Sequence, residues 1–194
     1  MFVVKQAGPI HPDISDEQLM AQLSAGDIDA LAPLFMRHAR LVRSIVLRLE
    51  PRMSHQEAED LCQEVFLTLH RTAPRYEERG QLTAWLCGIA ARTTRSWRRR
   101  RWLRRTLFRQ HVEPSVEHHS PSSFAQVAAR EEIGRALDAL PAPQREVIVL
   151  HTLQGLSGEE VASALGIRIG TVWTRLHRAR KTLQSVPAFT EDPT

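Results

Sequence analysis

Between Arg79 and Val112 the chain carries no Asp or Glu, while Arg92, Arg95, Arg98, Arg99, Arg100, Arg101, Arg104, Arg105 and Arg109 all fall in that stretch. A block of guanidinium groups of one sign is an anion-binding surface, and its natural counterpart is a polyanion. A second basic set stands near the end of the chain: Arg168, Arg175, Arg178, Arg180 and Lys181, interleaved with Thr171, Trp173 and Thr174. Arginine forks suit guanine edges and phosphates, so these residue types in this mixture point to nucleic-acid recognition. Bond-making chemistry has no comparable signal. Paired carboxylates, a glycine-rich phosphate loop and a nucleophile with a base are all missing from the sequence, and neither a catalytic residue nor a cofactor is expected.

The elements that must hold the second set are two short helices. Ser157 and Glu160 have the spacing of a capping box, Val161, Ala164 and Leu165 share a face, and Gly166 stands where a left-handed residue ends a helix. Val172, Leu176, Ala179 and Leu183 then recur as a buried helical stripe, leaving the basic and polar residues on other faces. That is the layout of a helix-turn-helix, whose second helix enters a major groove. The plainer alternative is a helical hairpin with a solvated basic face.

Composition bounds the rest. The 194 residues suffice for one or two domains, hydrophobic content is 42%, and the net charge is +4. Arginine far outnumbers lysine, which occurs only as Lys5 and Lys181. The two cysteines, Cys62 and Cys87, lie on apolar stripes without a partner motif, so buried thiols in a reducing compartment are expected, with a redox switch as a minor alternative. The nine histidines do not cluster at ligand spacing, and no metal site is expected, His111, His118 and His119 included. Neither a membrane-spanning run nor a signal-peptide pattern is present, which suggests a soluble intracellular protein.

Strand signals are nearly absent and helical stripes recur, so the expectation is all-α, with two small helical domains joined by a flexible linker. Residues 1–12 read as a loose leader. Ser15 or Asp16 caps a first helix ending at Gly26. A second runs from Asp27 to Pro51, with Pro33 set to kink or delay it. Ser54 and Glu57 open a third, which Pro74 stops. Thr83 is expected to cap a fourth, which runs into the arginine block. Residues 110–123 have the composition of a tether. Beyond it the pattern predicts a helix over 124–140, then one started by Pro141 and Pro143, with Val147, Ile148, Leu150 and Leu153 buried, before the helix-turn-helix.

Three stretches now carry a resemblance: DLCQEVFLTLHR (60–71), LTAWLCGIAARTTRSWRRRR (82–101) and LPAPQREVIVLHTLQGLSGEEVASALGIRIGTVWTRLHRARKTL (140–183). Together with SDEQLMAQLSAGDIDALAPLFMRHARLV (15–42), they resemble bacterial RNA polymerase sigma factors. The likeness is to the small two-domain, extracytoplasmic-function group (group 4), and it covers most of residues 13–186. The resemblance implies a first domain over 13–107 (sigma region 2), a linker over 108–123 and a second domain over 124–186 (sigma region 4). It implies a non-catalytic specificity subunit that binds core RNA polymerase, directs it to promoter DNA and assists strand opening.

Residue by residue, the resemblance assigns Glu57, Asp60, Gln63 and Glu64 to the polymerase-binding face. Capture of the −10 single strand falls to Arg75, Tyr76, Arg79 and Gln81 in a loop, and to Arg92, Thr93, Arg95, Ser96 and Arg99 on the following helix. Trp85 is expected to serve the core, whereas Trp97 and Trp102 are open between core and base platform. Reading of the −35 duplex falls to Arg168, Thr171, Trp173, Thr174, Arg175 and Arg178. Three positions depart from the family pattern. Gln81-Leu82-Thr83 replaces a small residue followed by Phe, Arg168 stands where a small capping hydroxyl is common, and Trp173 replaces a basic or polar residue. Group membership further implies an anti-sigma partner, often membrane-bound, that holds the factor in the cytoplasm or at the inner membrane face; a small-molecule substrate is not expected. The competing readings are a stand-alone dimeric helix-turn-helix regulator, which leaves 60–71 and 85–101 unexplained, and an enzyme acting on nucleic acid.

Overall fold

The computed structural model describes residues 14–76, 82–108 and 132–185. The leader, the tether with its histidines, Arg79 and Gln81 lie outside the described residues. Among the described residues every regular element is helical.

Helix α1 spans Asp16–Ser24, and Ser15 and Gln18 close a capping box at its start. It buries Leu19, Met20 and Leu23. Asp27 caps a short 3-10 turn, Ile28–Ala30, before α2 runs over Leu31–Leu49. Pro33 thus falls in the first turn of α2, where backbone N–H groups have no intrahelical acceptor in any case, so the proline delays the helix rather than kinking it. Helix α3, His55–Thr72, opens on the Ser54/Glu57 capping box and buries Ala58, Leu61, Cys62, Val65, Phe66 and Leu69.

Helix α4, Leu82–Phe108, is the longest element. Thr83 already lies within it, exposed beside the buried Leu82, and is therefore not its cap. From Leu82 to Trp97 it carries the buried Leu86, Cys87, Ile89, Ala90 and Trp97. Its second half extends as an arm on which Trp102, Leu103 and Leu107 are exposed.

The second domain begins with α5, described over 132–138, followed by α6, Ala142–Ile148, with Pro141 as its N-cap. A π turn, Val149–Leu153, continues the helix. The wider turn rotates Leu153 outward to 37% exposure, against the burial expected from an uninterrupted 3.6 period, while Val147, Ile148 and Leu150 are buried as expected. Helices α7, Gly158–Leu165, and α8, Ile169–Gln184, form the helix-turn-helix, with Gly166 at φ 64° ending α7. Ser157 and Glu160 make the capping box at its start.

The two domains meet. Helix α4 packs along α7, and α2 touches α6. One contiguous apolar cluster runs from Leu19 through α2, α3 and α4 to Leu137, Leu140, α6, α7 and α8.

Candidate nucleic-acid interface

Helix α8 presents the faces that its sequence pattern predicts. Val172, Leu176 and Ala179 are buried, and Leu183 is half-buried. Arg168, Trp173, Thr174 and Arg178 are exposed, with Thr171 and Arg175 half-exposed beside them. Arg168 is the N-cap and makes no side-chain capping bond, as a residue without a short acceptor must. Thr174 turns its hydroxyl back to the Gly170 carbonyl at 2.8 Å. Trp173 lies against Gly158, where any Cβ would stand 2.5 Å from the indole Cζ2, and meets His151 edge-on at 5.6 Å. It therefore fixes α8 on the start of α7 while 48% of it faces solvent.

The arginine block divides into three groups. The first faces the second domain. Arg92 Nη1 donates to the Ala164 carbonyl at 2.9 Å, one of the carbonyls left unpaired at the end of α7. Arg95 forks onto Glu146, with Nη2 2.7 Å from Oε2 and Nε 3.3 Å from Oε1. Arg98 bridges Glu50 at 2.9 Å and Glu146 at 3.5 Å. Hydrogen bonding to Glu146 raises the Arg95 pKa, whereas burial, then the charge of Arg95, lowers that of Arg92. The second group turns to α3: Arg100 pairs with Glu64 at 2.9 Å, and Arg101 stacks on Trp97 and reaches Glu57 at 4.0 Å. The third group, Arg99, Arg104 and Arg105, is exposed. Arg95, Arg98 and Arg99 line a groove of about 380 Å³ with Trp102, which is 63% exposed.

Not every expected strand contact is available here. Thr93 is only 7% exposed and Trp97 8%, so both serve packing in this arrangement, and Ser96 is half-buried. Trp102 is the open aromatic. In the loop segment Arg75 is exposed, and Tyr76 meets Trp85 edge-on at 5.1 Å. Trp85 packs against the core, with its Nε1 buried.

On α3, Asp60 and Gln63 are exposed, and Glu57 and Glu64 are half-exposed. Glu57 spends one carboxylate oxygen on the Ser54 cap, and Gln56 donates to Asp60 at 3.1 Å. The face is thus polar and acidic, lined on one side by Arg100 and Arg101.

Sequence reasoning missed Arg145, Glu146 and Gly88. Arg145 is 8% exposed and donates to four carbonyls: Leu137 at 2.7 Å, Leu49 at 2.9 Å, Leu140 at 2.9 Å and Asp138 at 3.3 Å. Glu146 is 4% exposed. The available signal was a charged pair inside a proline-started helix with apolar residues directly after it. Gly88 sits in a helix interior, where glycine costs about 1 kcal/mol relative to alanine, and a Cβ there would stand 3.0 Å from the Ala164 carbonyl oxygen of α7. Cys62 and Cys87 are buried, as expected. Among the described residues no group of three or more His, Cys, Asp or Glu side chains could hold a metal ion, and no helix is long and apolar enough to cross a membrane.

Known proteins carry the same two units in the same order. The family model Sigma-70 region 2 matches residues 34–104, and Sigma-70, region 4 matches residues 130–183. The ECF RNA polymerase sigma factor SigM of Mycobacterium tuberculosis is 34% identical over 169 residues, which span 87% of this chain and 83% of that one. The chain belongs to the extracytoplasmic-function sigma factors of bacterial RNA polymerase. Its fold agrees with two solved sigma factors. RpoE of Bartonella quintana, in complex with the anti-sigma factor NepR, superposes with a TM-score of 0.71 at 27% identity, covering 86% of this chain and 100% of that one. CnrH, in complex with the cytosolic domain of CnrY, gives 0.64 at 22% identity, over 88% and 96%. As an alternative sigma factor the chain acts with core RNA polymerase on promoter DNA in transcription initiation. The dimeric-regulator reading has no place for a matched region 2.

Proposed function

We propose that three surfaces of this sigma factor divide the work of initiation. The α3 face of Asp60 and Gln63, with Glu57 and Glu64 at its edge, docks on a basic helical surface of core polymerase. The arginines of α4 (Arg92, Arg95 and Arg99), with Ser96 and the loop that begins at Arg75 and Tyr76, hold the −10 strand once its bases have left the stack. Trp102 supplies a stacking face and the guanidinium groups take phosphates. Arg168, Thr171, Trp173, Thr174, Arg175 and Arg178 on and before α8 read the −35 duplex in its major groove. Residues 13–107 and 124–186 act as the two units, with 108–123 between them. The polymerase makes the bonds; this chain supplies recognition. It works in the cytoplasm under an anti-sigma protein that covers its DNA surfaces, as the two solved relatives are each bound by one.

The observation that carries this reading is the groove of Arg95, Arg98, Arg99 and Trp102, which combines guanidinium groups with an open indole on a helix arm. Binding assays separate the surfaces. Asp60→Lys with Gln63→Lys should abolish capture by core polymerase and leave duplex binding intact. Trp102→Ala should weaken single-strand binding by about 1–3 kcal/mol, the usual value of one base–aromatic stack. Arg175→Ala with Arg178→Ala should weaken −35 duplex binding alone. Uniform losses across all three assays would defeat the division of labour.

A further inference from the structure

Helix α8 carries two kinds of exposed surface. Its later turns present the cations Arg178, Arg180 and Lys181. Its first turns differ: Gly170, Trp173 and Thr174 are exposed, carry no charge and stand at i, i+3 and i+4, on one face of the helix. We propose that this patch reads thymine, through the 5-methyl group that thymine alone among the bases presents in the major groove. The proposal rests on the reading that α8 enters the −35 duplex, and goes beyond it by naming the base.

Thr174 donates its hydroxyl to the Gly170 carbonyl at 2.8 Å. Its donor is spent inside the helix, so none is left for a purine edge, and its methyl group is what it brings to a base. Trp173 has a single N–H and a broad apolar ring, and cannot make the two-pronged contact with guanine that an arginine makes. The ring is also held in place. Its six-membered edge packs on Gly158, with Cζ2 2.5 Å and Cη2 3.0 Å from where a Cβ at 158 would stand, and the His151 ring meets it edge-on at 5.6 Å. His151 is fixed in turn by its hydrogen bond to the Leu156 carbonyl at 2.6 Å. A ring pinned on two sides, with 48% of the residue in solvent, has little freedom left to lose when it meets a ligand.

Gly170 has no such duty within the fold, because a Cβ there would meet nothing within 4 Å. Its bare backbone lets the start of α8 come close to a base pair. The first residues of a recognition helix are those that reach base edges. The cations of the later turns are placed for phosphates and guanine edges.

Uracil lacks only the methyl group, so exchanging it for thymine isolates this contact. A duplex selected from a random pool by the full chain is resynthesised with uracil in place of each thymine in turn. The expected result is that exchange at one or two positions weakens binding about fourfold each, the worth of one methyl group taken out of water. Trp173→Ala should erase the difference at one position. Thr174→Ser, which keeps the hydroxyl and removes the methyl, should erase it at a neighbouring one. Gly158→Ala crowds the indole from the α7 side and should shrink the difference at the Trp173 position. The thymine-to-uracil ratio is the readout, because lost stability or lost phosphate contacts weaken both duplexes alike. A wild-type chain indifferent to uracil at every position would overturn the proposal, as would a thymine preference that neither α8 substitution erases. An unchanged ratio in Gly158→Ala would overturn the pinning of the ring. A chain that selects no duplex, alone or with core polymerase, would defeat the −35 reading and the proposal with it.

Discussion

The indole of Trp173 occupies the space that a side chain at Gly158 would need. Helix α8 is thereby pinned to the first turn of α7, with His151 closing the other edge and its Nδ1–H donating to the Leu156 carbonyl at 2.6 Å. Overpacking a fitted contact costs about 1–3 kcal/mol. Gly158→Ala should lose that much stability by urea denaturation, and Trp173→Ala should absorb most of the loss when combined with it. Additive losses would mean that the two residues do not share the space.

Arg145 is the buried cation of the domain junction. Burial, the largest influence, lowers its pKa, and its four carbonyl partners replace the water it gave up. Arg145→Met leaves those carbonyls without their donor, at a cost of about 3 kcal/mol. Arg145→Lys should recover little of it, because a single ammonium cannot span the fork. Denaturation midpoints of the two variants check both statements; full rescue by lysine would contradict the fork geometry.

Arg168 caps α8 without a capping bond. Arg168→Ser should raise stability by roughly 1 kcal/mol. The same change removes a cation from the edge of the reading surface, so the salt dependence of duplex binding should fall by about one in slope. Thermal melting and a salt titration read the two effects separately, and an unchanged melting temperature would show that the missing cap is met by other means.

What the sequence made legible is local. The capping boxes at Ser54 and Ser157 and the left-handed Gly166 each depend on residues within one turn, so types and spacing suffice to find them, whereas the first helix left Ser15 and Asp16 open as caps until the Ser15/Gln18 box decided it. Leu153 escaped because a π turn changes the period in mid-helix. Thr83 has the chemistry of a cap, yet it stands inside α4, one residue after the buried Leu82. The contacts between the two domains were illegible for a different reason. Arg95 and Glu146 are 51 residues apart, Arg92 and Ala164 are 72 apart, and Arg145 and Leu49 are 96 apart. Nothing in a run of arginines says which of them meets a carboxylate of another domain. Helix α8 needed no such partner, so its exposed face matched its pattern.

Cys62 and Cys87 should be inert in the native chain. Burial pushes the Cys62 thiol up to about 11 and the Cys87 thiol up to about 12. A thiol whose folded pKa is raised favours folding as long as it stays protonated. That contribution is whole below the ordinary value of 9.0 and is lost as the pH rises from there towards the folded values. Alkylation by iodoacetamide near neutral pH should therefore require denaturant, and stability should decline above that ordinary value. Rapid native alkylation would revive a redox role for either residue.

The assignment as a whole meets its most direct test in run-off transcription. Purified core polymerase would be mixed with this chain and a set of genomic promoter fragments, including the one upstream of its own gene. The account predicts a discrete transcript that depends on the chain and disappears with Gln63→Ala plus Glu64→Ala, or with Arg175→Ala. No transcript from any fragment, together with no binding to core polymerase, would contradict it.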